Sequence, residues 1–248
     1  MRILYNEVTE NHAITVYDTT EYEGEKGRFR VLQFAEDAVQ GAIDLNDPTR
    51  ILFEYPRAMI HLMTVNRPAF ANVFMIGHGI GTIPRHLPDK RFKIAELDRK
   101  LTEMSRRYFN SKTTDVHIGD GRLLLEQESS GAYSYIVLDA FTAEGTPPHL
   151  TTLQFFRLIR DKLDEEGGLL INLIAQGPRD KRACAAHTTL REVYAYVQAF
   201  ALPIKGAAGL LNIVMMGRSK PIRFQLSEMT GFREIHLPPG ELLVDESD

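Results

Sequence analysis

A single cysteine, Cys184, stands in 248 residues. One thiol cannot close an intramolecular disulfide or build a cysteine-based zinc site. The eight histidines show no H-E-x-x-H and no other paired spacing, so no metal site is expected. There is no Gly-x-Ser-x-Gly elbow, and Cys184 lies in a polar stretch without a recognisable base partner, which leaves nucleophilic hydrolase chemistry unsupported. No Gly-Lys-Ser/Thr closes a glycine loop, which excludes a P-loop. Apolar runs stay well short of a membrane span. The opening residues "MRILYNEVTENHA" lack a basic region followed by an apolar core, so no secretory signal is expected and the expected compartment is the cytoplasm. Positive charge is not in excess either: the net charge of −4 argues against a partner bound by phosphate neutralisation and is compatible with a cationic substrate. Repeats and low-complexity tracts are missing.

What is present suits a large α/β domain with a small appendage: 44% hydrophobic and 25% charged residues on a chain long enough to bury a sizeable core. The runs at 13–20, 28–34 and 39–45 are short and β-prone, separated by polar turns, and predict a small antiparallel β domain over residues 1–55. "YPRAMIHLMTVNR" (55–67) has helical spacing and leads into a second domain, 56–248. From residue 71 the rhythm becomes strand, turn, helix. "NVFMIG", "RFKIAELD", "TDVHIGD", "YSYIVLDAF" and "GLLINLIAQG" are strand candidates separated by helical segments, the pattern of a doubly wound parallel sheet. Thr151 and Gln154 predict a capping box for a helix over 152–163. Leu190, Val193, Tyr194 and Val197 share a face if 188–201 is helical. "LLNIVMMGR" reads as the last strand, and the acidic tail 241–248 is expected to be loose.

Gly77, Gly79 and Gly81 follow the first of these strands in the spacing G-x-G-x-G. Backbone without Cβ can approach a ligand closely there, although a tight strand-to-helix turn would use the same residues. The dinucleotide pattern needs glycine at 82, which is Thr82. Glu96 falls near the end of the second strand, where a carboxylate can accept both hydroxyls of a ribose, so an adenosyl ligand without phosphates fits best. Asp120 and Asp139 end the third and fourth strands. Ligands of such sheets bind at the carboxyl ends of the strands, so the glycines, Glu96, Asp120 and Asp139 are expected to converge on one crevice. His78 is expected to face solvent, and "GTPPHL" (145–150) reads either as a gate over the crevice or as an ordinary loop.

Taken in order, "VQ" (39–40), "YPRAMIHL" (55–62), "MIGHGIGTIPRHL" (75–87), "AELD" (95–98), "YFN" (108–110), "IGDGRLLL" (118–125) and "YSYIVLDAFTAEGTPPHLTTLQFF" (133–156) resemble the spermidine synthase family of polyamine aminopropyltransferases, over roughly residues 28–216. The resemblance implies an α/β fold, a Rossmann-like, class I methyltransferase-type doubly wound sheet behind a small N-terminal antiparallel β domain, assembled as a homodimer. It implies no prosthetic group, and a co-substrate, decarboxylated S-adenosylmethionine, whose aminopropyl group passes to an amine with release of methylthioadenosine. Gln40 and Glu96 would then contact the nucleoside, Asp120 and Gly121 the adenine, Asp139 would be the catalytic carboxylate and Tyr55 would line the amine pocket. The departures are specific. Ile80 replaces the aspartate of the family's glycine loop, Thr142 replaces a second acid after the catalytic one, and Tyr55-Pro56-Arg57 replaces a motif ending in glutamate. No tyrosine occurs near "LPIKGAAGLLN" to line the amine channel. An acceptor other than ordinary putrescine is therefore expected, since a buried diammonium without carboxylate partners is costly. Two alternatives stay open: a methyltransferase using intact S-adenosylmethionine, with Arg57 pairing its carboxylate, and a nucleoside-binding protein without turnover.

Overall fold

The computed structural model describes residues 1–8, 13–34, 38–142, 145–204 and 209–246. Four strands, β1 (Arg2–Val8), β2 (Ala13–Tyr22), β3 (Glu25–Phe34) and β4 (Ala38–Asp44), form an antiparallel sheet in that spatial order. β1 has no counterpart among the expected strands. Its residues are exposed or half-buried throughout, so it carries no alternating pattern, and it is held by backbone pairing to β2 from Arg2–Asp18 to Val8–Ala13.

The chain continues through α1 (Glu54–Asn66), β5 (Asn72–Ile76), α2 (Thr82–His86), β6 (Arg91–Glu96), α3 (Arg99–Phe109), β7 (Val116–Ile118), α4 (Gly121–Glu126), β8 (Tyr133–Leu138), α5 (Leu153–Lys162), β9 (Leu163–Ala175), α6 (Lys181–Arg191), β10 (Tyr196–Pro203), β11 (Leu211–Arg218) and β12 (Arg233–Ile235). These strands make an eight-stranded sheet in the order β12-β10-β11-β9-β8-β5-β6-β7. The five strands from β9 to β7 are parallel, and β11, β10 and β12 extend them antiparallel, so the sheet is mixed. The chain runs outward from β5 to β7 and then returns to place β8 on the other side of β5. That reversal opens a crevice at the carboxyl ends of β5 and β8.

The period of two sorts the side chains. Phe74, Ile76, Ile136 and Leu138 pack against Phe155, Phe156 and Ile159 of α5 and Leu190 of α6. Their neighbours Val73, Met75, Tyr135 and Val137 pack against Met59, Leu62 and Met63 of α1. Phe155 and Phe156 are fully buried, and each contributes roughly 1.5–3 kcal/mol from burial. A third cluster joins the two sheets: Ile14, Val16, Leu32 and Ile43 meet Ile80 and the α3 residues Leu101, Met104 and Phe109. Among the described residues no helix is long and apolar enough to cross a membrane.

Four local expectations are corrected. Residues 188–201 are not one helix: α6 ends at Arg191, and β10 pairs with β11 residue for residue from Tyr196–Arg218 to Pro203–Leu211. The apparent helical face came from a helix end running into a strand whose Tyr196, Val197 and Phe200 suit a sheet. The cap of α5 is Thr152, whose hydroxyl accepts the Phe155 N–H at 3.3 Å, while Gln154 accepts the Asp245 N–H at 3.0 Å instead of completing a capping box. The tail is docked through residue 245: Leu153 N–H donates to Leu243 C=O at 2.8 Å, and Leu243 N–H to Thr189 Oγ1 at 2.9 Å. β11 is not the last strand either, since β12 follows and covers the edge of β10.

Candidate functional site

At the crevice the strand ends are tied to one another. Gly77 N–H donates to Ala95 C=O, Asp139 N–H to Ile76 C=O and Gly119 N–H to Glu96 C=O, each at 2.9 Å. The residues that follow β5, β6, β7 and β8 are thereby held in register around a cavity of about 690 Å³. Gly77 has φ +95°, and a Cβ there would lie 2.1 Å from the carbonyl oxygen of Asp139, so only glycine fits. Gly77 and Gly79 line the cavity, whereas Gly81 lies behind the loop against Ser111 and His78.

Glu96, the last residue of β6, is buried, and both of its oxygens already accept backbone N–H groups: Oε2 from His78 at 2.8 Å and Oε1 from Asp98 at 2.9 Å. Burial raises its pKa, and the amides of Asp98 and His78 oppose that rise. An ionised carboxylate accepts more bonds than these amides supply, so Glu96 keeps acceptor capacity for a hydroxyl donor in the cavity. Asp98 instead caps α3, accepting Lys100 N–H at 2.7 Å.

His78 does not face solvent: it is 2% exposed. Ser105 Oγ lies 3.2 Å from its Nδ1 and Ser111 Oγ 3.3 Å from its Nε2. Ser105 donates its one hydroxyl proton to Thr102 C=O, so it accepts from Nδ1–H of the ring. Burial, with Arg106 and Arg85 adding to it, pushes the imidazole down to about 4 and keeps it neutral. Its backbone N–H aims the loop inward at Glu96.

Asp139 follows β8. Asn212 Nδ2 of β11 donates to Asn172 Oδ1 of β9 at 3.2 Å, which turns the Asn172 amide so that its Nδ2 donates to Asp139 Oδ1 at 2.9 Å. The Tyr55 hydroxyl also donates to Asp139. Burial raises this carboxyl to about 6 against the pull of those two hydrogen bonds, and the Tyr55 hydroxyl rises well above its ordinary value from burial and from Asp139. A carboxyl held this way is poised to take a proton near neutral pH. Asn172 and Asn212 escaped the sequence reading. The only sign was one polar residue in each of two apolar strands, "LLINLIA" and "LLNIVMM".

Asp120 caps α4 through Oδ1, which accepts Arg122 N–H at 2.9 Å and Leu123 N–H at 3.0 Å, and its Oδ2 meets His149 Nε2 at 2.8 Å. Burial works to raise its pKa, but hydrogen bonds from Leu123, His149 and Arg122 bring it below the ordinary value. Gln40 and Gly121 line the same cavity.

Ile80 points the other way. It is 3% exposed in the cluster between the sheets, where the missing Cβ of Gly41 gives it room: a Cβ there would sit 2.7 Å from Ile80 Cγ2. Ile80→Asp, which restores the acid of the family's loop, is expected to cost several kcal/mol of stability, because it places an unpaired carboxylate in an apolar cluster. Denaturant unfolding of the variant checks this. Arg57 donates to Ile51 C=O at 2.8 Å and does not line the cavity, so it is not placed to pair a ligand carboxylate.

Carboxylates do reach the cavity from elsewhere. Glu23, in the β2–β3 turn, and Glu54, at the start of α1, both line it beside Phe53 and Tyr55, whose rings stack at 6.2 Å. With Glu96, Asp120 and Asp139 they make five acids, against one histidine and no lysine or arginine among the described lining residues. Among the described residues no group of His, Cys, Asp and Glu is placed to hold a metal ion.

The spermine/spermidine synthase domain family matches residues 52–226 of this chain. A polyamine aminopropyltransferase of Vibrio vulnificus is 30% identical over 189 residues, 71% of this chain and 62% of that protein. The chain spans less than two thirds of the length of the curated relatives it matches first. Among solved structures, a probable spermidine synthase from Corynebacterium glutamicum superposes with a TM-score of 0.83 at 18% identity, covering 100% of this chain and 98% of that one. Human methyltransferase-like protein 13, in complex with SAH, superposes with a TM-score of 0.56 at 18% identity, over 72% of this chain and 90% of its own. At those identities the likeness is one of fold.

Proposed function

The chain belongs to the spermine/spermidine synthase family, and from that premise we propose that it transfers the aminopropyl group of decarboxylated S-adenosylmethionine to an amine. The observation that carries this reading is Asp139, buried at the switch of the sheet and held by Asn172 and Tyr55 with its pKa at about 6. In the proposed reaction Asp139 takes a proton from the acceptor ammonium. The freed lone pair then attacks the carbon beside the sulfonium, and the C–S bond breaks with its electron pair passing to sulfur, which leaves methylthioadenosine. Glu96 accepts the ribose hydroxyls, Gly77 and Gly79 let the backbone approach the ligand, and Asp120, Gly121 and Gln40 bound the nucleoside.

The charge of the cavity favours the decarboxylated donor. Five carboxylates and no lysine or arginine suit a sulfonium with a second ammonium, and would repel the α-carboxylate of intact S-adenosylmethionine. The methyltransferase reading loses its cation with Arg57 turned to Ile51. We further propose an acceptor other than ordinary putrescine: positions 57 and 80 place no carboxylate in the cavity and position 142 is threonine, while Glu23 and Glu54 offer partners nearer the N-terminal sheet, which suits a longer polyamine.

Calorimetric titration with decarboxylated S-adenosylmethionine, intact S-adenosylmethionine and methylthioadenosine tests the donor. The decarboxylated donor is expected to bind at least about tenfold tighter than the intact one, a difference of about 1.4 kcal/mol. The reverse order would make the protein a methyltransferase. An amine panel then tests the acceptor: Glu54→Gln is expected to raise KM for the best polyamine about tenfold with little change for a monoamine, since only a second cationic nitrogen loses a partner.

A further inference from the structure

The wall of the cavity above Asp120 is tied to its neighbours by polar contacts as well as by the buried Leu150. Pro147, His149 and Leu150 line the cavity from a single 3-10 turn. Two contacts fix that turn against α4: the His149–Asp120 hydrogen bond at 2.8 Å, and Arg122 Nη1, which donates to the His149 carbonyl at 3.2 Å. Arg122 is in turn gripped by Asp245 in a bidentate pair, Nη1 to Oδ1 at 2.8 Å and Nη2 to Oδ2 at 2.6 Å. The same Oδ1 accepts the Thr152 hydroxyl at 2.6 Å, at the point where the turn passes into α5. Asp245 thus joins the two ends of the wall, α4 on one side and the start of α5 on the other, while lying outside the cavity itself.

Asp245 is brought there by a segment zipped to the outer helices. Gly240 N–H donates to Thr188 Oγ1 at 2.8 Å, Leu243 N–H to Thr189 Oγ1 at 2.9 Å, Leu153 N–H to Leu243 C=O at 2.8 Å and Asp245 N–H to Gln154 Oε1 at 3.0 Å. Gly240 packs so tightly on α6 that a Cβ would lie 2.4 Å from Ala185 N. A solvated acidic end would leave these donors and acceptors to water. Here they form a ladder that ends on Arg122, which holds the cavity wall.

We propose that residues 240–245 are a strap that sets the position of the 147–150 wall, and that Asp245, acting through Arg122, is a positioning residue for nucleoside binding. This rests on the adenosyl reading of the cavity. The strap acts on the donor half of the site: it holds His149 on Asp120 while making no contact with Asp139, Asn172 or Tyr55.

Asp245→Asn tests it, because it keeps shape and Thr152's acceptor while removing the charge that grips Arg122. The variant is expected to bind methylthioadenosine about tenfold more weakly and to raise KM for the donor by a similar factor, with kcat little changed. Amide hydrogen exchange at 149–153 is expected to speed up about tenfold, and Asp245→Glu is expected to recover part of both effects. A fall in melting temperature with binding and exchange at 149–153 unchanged at 25 °C would overturn the proposal and leave the strap a plain stabilising contact. If the unaltered protein binds no nucleoside, the adenosyl reading fails by itself, and the exchange rates alone decide whether the strap holds the wall: wild-type rates in Asp245→Asn overturn it.

Discussion

Replacing Asp139 by asparagine is expected to lower kcat 10²–10⁴-fold, the range over which a positioned general base acts, while leaving the protein at least as stable at pH 7. The two halves follow from one cause. Burial lifts the carboxyl to about 6, so between its ordinary pKa near 4 and that value the folded state holds a proton that the unfolded chain has released. The stability this contributes is fully present below pH 4 and is lost as pH rises through 6. By pH 7 the ionised carboxylate costs the fold up to roughly 3 kcal/mol, two pH units at about 1.4 each. Asparagine removes that charge and still offers Oδ1 to the Asn172 amide. Thermal melts of both proteins from pH 4 to pH 8 should therefore converge at low pH and separate in favour of the variant above pH 6. The kcat/KM of the wild type should rise through pH 6, with that limb missing from the variant. A variant less stable at every pH would instead mark Asp139 as a structural acceptor at a strand end.

The parallel half of the sheet was legible because its central strands β5 and β8 are apolar runs, buried on both faces and closed by Gly77 and Asp139. The glycines and three acids were legible because they sit where those runs stop. What stayed hidden is what the fold brings in from a distance. Asn172 and Asn212 lie on different strands, and their meaning comes only from the β9–β11 pairing that lines them up behind Asp139. Glu23 and Glu54 come from a hairpin turn and a helix start 31 positions apart in the numbering, so aligned positions 57, 80 and 142 looked vacant while the cavity drew its acids elsewhere. His78 was misjudged because a polar loop residue ordinarily meets water, whereas here its backbone bond to Glu96 rolls the loop inward over Ser105 and Ser111. The strap was missed for the opposite reason: "ELLVDESD" has the composition of a solvated end, and only the matching threonines 188, 189 and 152 and Arg122 make it dock.

Substitutions at Gly77 and Gly79 separate the loop's role as a turn from its role as a site. Gly77→Ala is expected to destabilise the protein by roughly 4 kcal/mol or more, because the new Cβ would stand 2.1 Å from the Asp139 carbonyl oxygen and 2.8 Å from its carbon, at φ +95°. Neither is a flexible group, so the end of β8 must move, and with it the carboxyl that Asn172 and Tyr55 hold; activity falls along with stability. Gly79→Ala meets no atom within 4 Å at φ +53°, so only the left-handed backbone strain of about 1–2 kcal/mol remains. The fold should survive this second change, yet the residue lines the cavity, and the added methyl would stand where the backbone and ligand meet. Denaturant unfolding and methylthioadenosine titration of both variants give the comparison. Binding weakened about tenfold in a folded Gly79→Ala protein (about 1.4 kcal/mol) assigns the loop to the ligand. Wild-type affinity there would reduce the three glycines to a means of turning the chain from β5 into α2, and the nucleoside would have to be held by Glu96 and Asp120 without them.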